Sequence, residues 1–210
     1  MGLGGKQVAR FSTTNCGISR IGEIPWGSHL CHFYQTREDL VESLVPYFRA
    51  GLENNERCIW VTAAPFPAAE AIIELDRSMR GLDRHFDQGR IRIVDSDLWY
   101  TGLGRPTQDS VIDLWLREEK DAAVGGFTGL RVAGNLSFLK RGEMASFIEY
   151  ERTVDRIFPK RQIIALCSYE LKQCSSYNHS RIIQAHRYAL ERRRTHWKLT
   201  DSLRRSDSFQ

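Results

Sequence analysis

The stretch IGEIPWGSHLCHFY, residues 21–34, decides how this 210-residue chain is read. A Gly/Pro/Trp approach leads into an apolar run that ends on His-Phe-Tyr, and Gln35-Thr36-Arg37-Glu38-Asp39 then reads as a helix start. A strand that runs onto a helix N-terminus is how open α/β sheets build ligand crevices, because unpaired N–H groups gather there. The plainer reading is a first core strand with a histidine near each end.

The same alternation repeats outward from this stretch. Residues 38–52 form a helix with Leu40, Val41, Leu44, Tyr47, Phe48 and Leu52 on one face, Thr36 as N-cap and Pro46 inside it. Strands follow at 58–62 (CIWVT), 91–95 (IRIVD), 130–133 and 162–169 (QIIALCSY), and helices at 67–80, 109–123, 143–158 and 177–194. A short helix or turn near 82–88 precedes the third strand. Five strands alternating with helices predict a three-layer α/β domain, a mostly parallel sheet with helices on both faces. Residues 1–20 read as a flexible arm, 21–197 as one domain, and 198–210 as a basic, disordered tail.

Composition bounds the function. Net charge is +4 with a pI near 8.9, and much of the excess sits in the last residues, from Arg187 to Arg205. A solvated helix end accounts for that charge, so direct nucleic-acid binding is not expected. The five cysteines form no CxxC pair, no apolar run approaches the roughly 18 residues of a membrane span, and the N-terminus has no signal-peptide core. A cytoplasmic chain that does not enter a membrane is expected.

In a parallel sheet, chemistry gathers at the strands' C-terminal edge, which here holds His32, Phe33, Tyr34, Thr62, Asp95, Asn135 and Tyr169. A phosphate loop is not among the motifs. The turn Tyr34-Gln35-Thr36-Arg37 has neither glycine nor lysine, and the fourth strand ends on Gly134-Asn135 instead of a magnesium-binding carboxylate. No GxSxG elbow is present either. His29 and His32 are three apart and point to opposite faces of one strand, so they do not converge on an ion. No metal, cofactor or catalytic group is expected. What remains is an aromatic-rich site with a few polar groups, suited to a small, largely apolar ligand.

The blocks IGEIPWGSHLCHFY, VPYFRAGLENNERCIWVT, GLRVAGNLSFL, FIEYE, QIIALCSYEL and AHRYAL resemble, in that order, the MEDS family of sensory domains. The resemblance implies a RecA/KaiC-like fold without a phosphate loop. It also implies an input module of transcriptional regulators or histidine kinases that senses small hydrocarbon derivatives, such as halogenated or methylated one-carbon compounds. The residues it marks for ligand binding are His29, Phe33, Tyr34, Arg131, Asn135, Tyr150, Glu151, Cys167, Tyr169 and His186. It implies a small-molecule ligand and a regulator or kinase as partner, with a homodimer left open. A nucleotide-binding module without hydrolysis and a ligand-free interaction module remain the alternatives.

Overall fold

Alternating buried positions along the strands split this molecule into two faces. The computed structural model describes residues 12–101, 107–135, 144–193 and 196–202. In chain order the elements are β1 (Thr13–Asn15), β2 (Glu23–Pro25), β3 (His29–Tyr34), α1 (Arg37–Glu53), β4 (Arg57–Thr62), α2 (Ala68–Ser78) and α3 (Leu82–Asp87). They continue with β5 (Ile91–Asp95), α4 (Ser96–Thr101), α5 (Gln108–Val124), β6 (Leu130–Asn135), α6 (Met144–Ile157), β7 (Ile163–Glu170), α7 (Ser176–Gln184), β8 (Tyr188–Arg193) and β9 (His196–Asp201).

Among the described residues the main sheet has seven strands in the order β5-β4-β6-β7-β3-β8-β9, all parallel except the antiparallel β8–β9 pair. The expected α/β fold with a mostly parallel sheet is therefore present, and all five expected strands lie in it. One face carries Leu30, Trp60, Ala133, Ile164 and Leu166, packed with Leu44, Tyr47, Phe48 and Leu75. On the other, Ile59, Val132, Ile163 and Ala165 meet Ile112, Trp115 and Val154.

Local sequence sets the boundaries. Thr36 caps α1: its hydroxyl accepts from Asp39 N, and the Asp39 carboxylate accepts from Thr36 N and Gln35 N (3.1 and 2.9 Å). Gly51 lets α1 approach the sheet, since a Cβ there would lie 2.6 Å from Arg131 Nε and 2.8 Å from Cys58 Sγ.

Three expectations give way. The segment read as a mobile arm is in part structured: Thr13–Asn15 pairs with Glu23–Pro25, and Cys16 and Ile18 are buried. The residues before 12 lie outside the described ones. The last helix stops at Gln184 instead of running to 194, because the His186 ring donates from Nδ1 to the Ile182 carbonyl (2.7 Å) and closes the helix end. The next residues pair with the free edge of β3, a tertiary pull stronger than helix propensity. The tail expected from 198 begins inside β9, and Trp197 is buried.

An ion pair with no exposed side-chain surface joins β6 to the turn before β4. All five Arg131 N–H groups are used: Nε and Nη2 donate to Glu56 (2.6 and 3.1 Å), Nη1 to the carbonyls of Tyr47 and Cys16 (2.9 and 3.1 Å), and Nη2 to Asn15 O (2.7 Å). Thr14 donates to the same carboxylate. Removing one partner strands a charge away from water. Arg131→Met is expected to cost about 3–5 kcal/mol in urea unfolding; a loss below 1 kcal/mol would show that the pair carries no structural weight.

His32 makes a pH-dependent contribution. It is fully buried, with Nδ1 3.2 Å from Ser168 Oγ and the ring 4.8 Å from Trp197. Burial pushes its pKa from 6.5 down to about 3, although the Asp39 charge acts the other way. Between those values the unfolded chain binds a proton that the folded chain does not, so this stability is present above pH 6.5 and is lost as pH falls. Comparing unfolding free energies at pH 7 and 5, the wild type should lose up to about 1.4 kcal/mol per pH unit more than His32→Gln. Equal slopes would contradict the assignment.

Candidate functional site

β3 and β7 run side by side with His29 opposite Ala165 and Cys31 opposite Cys167. That register places the side chains of His29 and Cys167 on the same face, two rungs apart. Helix α6 lies over this face and contributes Glu151, fully buried, with Asp155 one turn further on. The turn after α7 adds His186, also buried.

These side chains meet. His29 Nε2 is 3.0 Å from Glu151 Oε2 and 3.6 Å from Cys167 Sγ, and Sγ is 3.8 Å from the same carboxylate oxygen. His186 Nε2 lies 3.6 Å from Glu151 Oε2, and its ring stacks on His29 at 4.0 Å between centroids. Tyr169 donates its hydroxyl proton to Glu151 Oε1 (2.8 Å), while His29 Nδ1 makes a long contact of 3.4 Å to Asp155 Oδ1.

Electrostatics assigns the charges. Burial opposes protonation of His29, but hydrogen bonding and charge from Asp155 and Glu151 outweigh it and raise its pKa. Burial would raise the Glu151 carboxyl, yet His186, His29 and Tyr169 bring it below its ordinary value. Burial, aided by the neighbouring His29, holds His186 down to about 4, and the Cys167 thiol is pushed well up by burial. These directions favour charge on the His29–Glu151 pair and disfavour it on His186 and Cys167.

A cavity of about 330 Å³ adjoins this cluster, over β6 and β7 and under α5 and α6. Val111, Trp115, Val132, Phe147, Tyr150 and Ala165 give it an apolar and aromatic wall, and His29, Glu151 and Cys167 form a polar end. Trp115 Nε1 donates to the Tyr150 hydroxyl at 3.1 Å, which fixes both rings.

Of the residues singled out in the sequence, His29, Tyr150, Glu151, Cys167, Tyr169 and His186 come together here. Phe33 stands one layer away, 5.6 Å between ring centroids from Tyr169 and 4.2 Å from His179. Tyr34 is buried in the core of the opposite face, and Arg131 is held there in its pair with Glu56. The side chain of Asn135 lies outside what is described. The site also sits over the face of the sheet, not along the C-terminal edge. The reason is register: the first residue of β3 stands beside the third of the longer β7, so His29 falls mid-sheet. At the edge, Asp95 caps α2, accepting from Ala68 N at 2.9 Å.

Sequence reasoning passed over Asp155, Val111 and Trp115. The first had a signal, its i+4 spacing from Glu151, and the other two share an i,i+4 face of α5. Four separate segments supply His29, Glu151, Cys167 and His186, so no short motif along the chain announces the cluster.

Comparison with known proteins gives the fold and the family. A KaiC-like protein from the hyperthermophilic archaeon Pyrococcus horikoshii OT3 has a similar structure, with a TM-score of 0.55 and 16% sequence identity over 90% of this chain and 86% of that one. A search of curated protein sequences found no significant match. Residues 28–187 match the model of the methanogen/methylotroph, DcmR sensory domain, and the chain belongs to this family, MEDS, which assigns it a sensory role.

Proposed function

We propose that this chain is a non-catalytic sensory domain that binds a small, largely apolar molecule in the cavity beside the His29–Glu151 pair and passes its state to a partner protein. The observation that supports it is the cavity itself: about 330 Å³, walled mostly by apolar and aromatic side chains with Thr107, Gln108 and Ser146 among them, and bordered by His29, Glu151 and Cys167. Such a site orients a small halogenated or methylated carbon compound by its one polar or polarisable substituent and excludes water from the rest. The cavity is walled by α5 and α6, so occupancy bears directly on how those helices seat against the sheet. A partner such as a regulator or a histidine kinase would read that seating.

The fold invites comparison with nucleotide binders, but the N-terminus of α1 is differently furnished. The N–H groups of Gln35 and Thr36 already donate to the Asp39 carboxylate, which also pairs with Arg192. A phosphate there would meet a fixed negative charge.

Thermal unfolding against small halogenated and methylated carbon compounds, with Mg-nucleotides as a second series, tests the reading. A bound compound at about 100 times its Kd adds roughly 2.7 kcal/mol, a melting shift on the order of 5–10 °C for a chain of this size. Val111→Trp, which fills the cavity from α5, should abolish the shift with the circular dichroism spectrum unchanged. Tyr34→Phe, on the other face, should leave it intact. A shift with nucleotides alone would replace this reading, and a shift that survives Val111→Trp would move the site elsewhere.

A further inference from the structure

The side chains at the polar end of the cavity have a second property. Among the described residues, His29, Glu151, Cys167 and His186 offer one donor atom each, all four within 4.8 Å of one another. Four of the six separations between them, 3.0, 3.6, 3.6 and 3.8 Å, bracket the edges of a tetrahedron around zinc, and the other two lie within 4.8 Å. With bonds of about 2.0–2.1 Å to nitrogen or oxygen and about 2.3 Å to sulfur, those edges are roughly 3.3–3.6 Å. Four donors of three chemical kinds, brought by two strands, one helix and one turn, lie in one cluster.

The groups behind the donors are arranged as they are in metal sites. His186 donates from Nδ1 to the Ile182 carbonyl, which leaves the Nε2 lone pair facing the cluster. His29 turns Nδ1 toward the Asp155 carboxylate, and Tyr169 holds the second oxygen of Glu151. His186 is thus aimed by a hydrogen bond on its far side, His29 has a carboxylate 3.4 Å behind it, and the Glu151 carboxylate is pinned by a hydroxyl.

The competing explanation is a self-contained buried polar network. Proton counting weighs against it. Tyr169 has a single hydroxyl proton and spends it on Glu151 at 2.8 Å, so its 3.4 Å approach to His186 Nε2 does not also satisfy that nitrogen. His186 Nε2 then faces Glu151 Oε2 at 3.6 Å, too far for a hydrogen bond. A cation between them satisfies both at once.

We propose that His29, Glu151, Cys167 and His186 bind one divalent transition-metal ion of the zinc class. Imidazole and thiolate ligands favour such an ion over magnesium or calcium. Binding expels the Cys167 thiol proton and the proton between His29 Nε2 and Glu151 Oε2, and the ion takes their place. Three of the four ligands border the cavity, so the ion would stand at the point where a small molecule's polar substituent arrives. The proposal does not depend on the small-molecule reading, because its test contains no organic ligand.

The experiment uses the full chain, stripped of metal under reducing conditions and titrated with Co(II) and then Zn(II). One equivalent of Co(II) should bind, giving visible bands of a four-coordinate ion and a near-ultraviolet thiolate-to-cobalt band, both bleached by one equivalent of Zn(II). Cys167→Ser should lose the thiolate band, and Cys174→Ser should keep it. Asp155→Asn, which leaves all four ligands in place, should weaken binding by about 10–100-fold. Each variant is checked for native circular dichroism. A folded wild-type chain that takes up no stoichiometric Co(II) would overturn the proposal, as would a thiolate band that persists in Cys167→Ser. If Cys167→Ser does not fold, the absence of one-to-one Co(II) binding by the wild type, or an unchanged affinity in Asp155→Asn, is decisive on its own.

Discussion

The register of β3 on β7 is the constraint from which the rest of the molecule follows. With His29 beside Ala165 and Cys31 beside Cys167, odd-numbered positions of both strands face α6 and even-numbered ones face α1. A slip of one residue would send the two strands' side chains to opposite layers, parting His29 from Cys167 and burying His32 where the cavity now lies. β6 extends the same parity, with Val132 toward the cavity and Arg131 away from it. Parallel pairing on both sides of β7 leaves little freedom for such a slip.

The parity also divides the labour between the two faces. The α1 face carries a dense aromatic and aliphatic core, with Phe48 stacked on Trp60 at 4.8 Å and one charged pair whose hydrogen bonds are complete. A buried pair of that kind adds little net stability over an apolar replacement, but it is intolerant of losing a member. The α6 face is the reverse: it holds the cavity, with several ionisable groups crowded around a carboxylate. Polar groups collected next to empty space are a cost in folding, offset by the apolar burial elsewhere in the molecule.

Much of this was legible in the chain. Strands CIWVT and IRIVD and the capped helix from Thr36 could be read directly, because each is a run of one period bounded by breakers or caps. The site was legible only through resemblance to a family, which marked Glu151, Cys167 and His186 without explaining why they belong together. Helical period alone could not say which of Glu149 and Glu151 faces inward; the structure exposes the first and buries the second. The region after Gln184 misled for a physical reason. Tyr188–Arg193, YALERR, is rich in good helix formers, and the open edge of β3 overrides that propensity.

The buried Arg131 has a consequence for what counts as one folding unit. Two of its five hydrogen bonds end on the carbonyls of Asn15 and Cys16, well before residue 28, where the family pattern begins. At the other end, the strand that closes the flank of β3 starts at Tyr188, one residue after the pattern stops. A fragment cut to the family's limits would hold a guanidinium short of two acceptors and a central strand with a bare edge, open to pairing with other chains. The heritable module and the physically autonomous one are therefore different lengths of the same polypeptide.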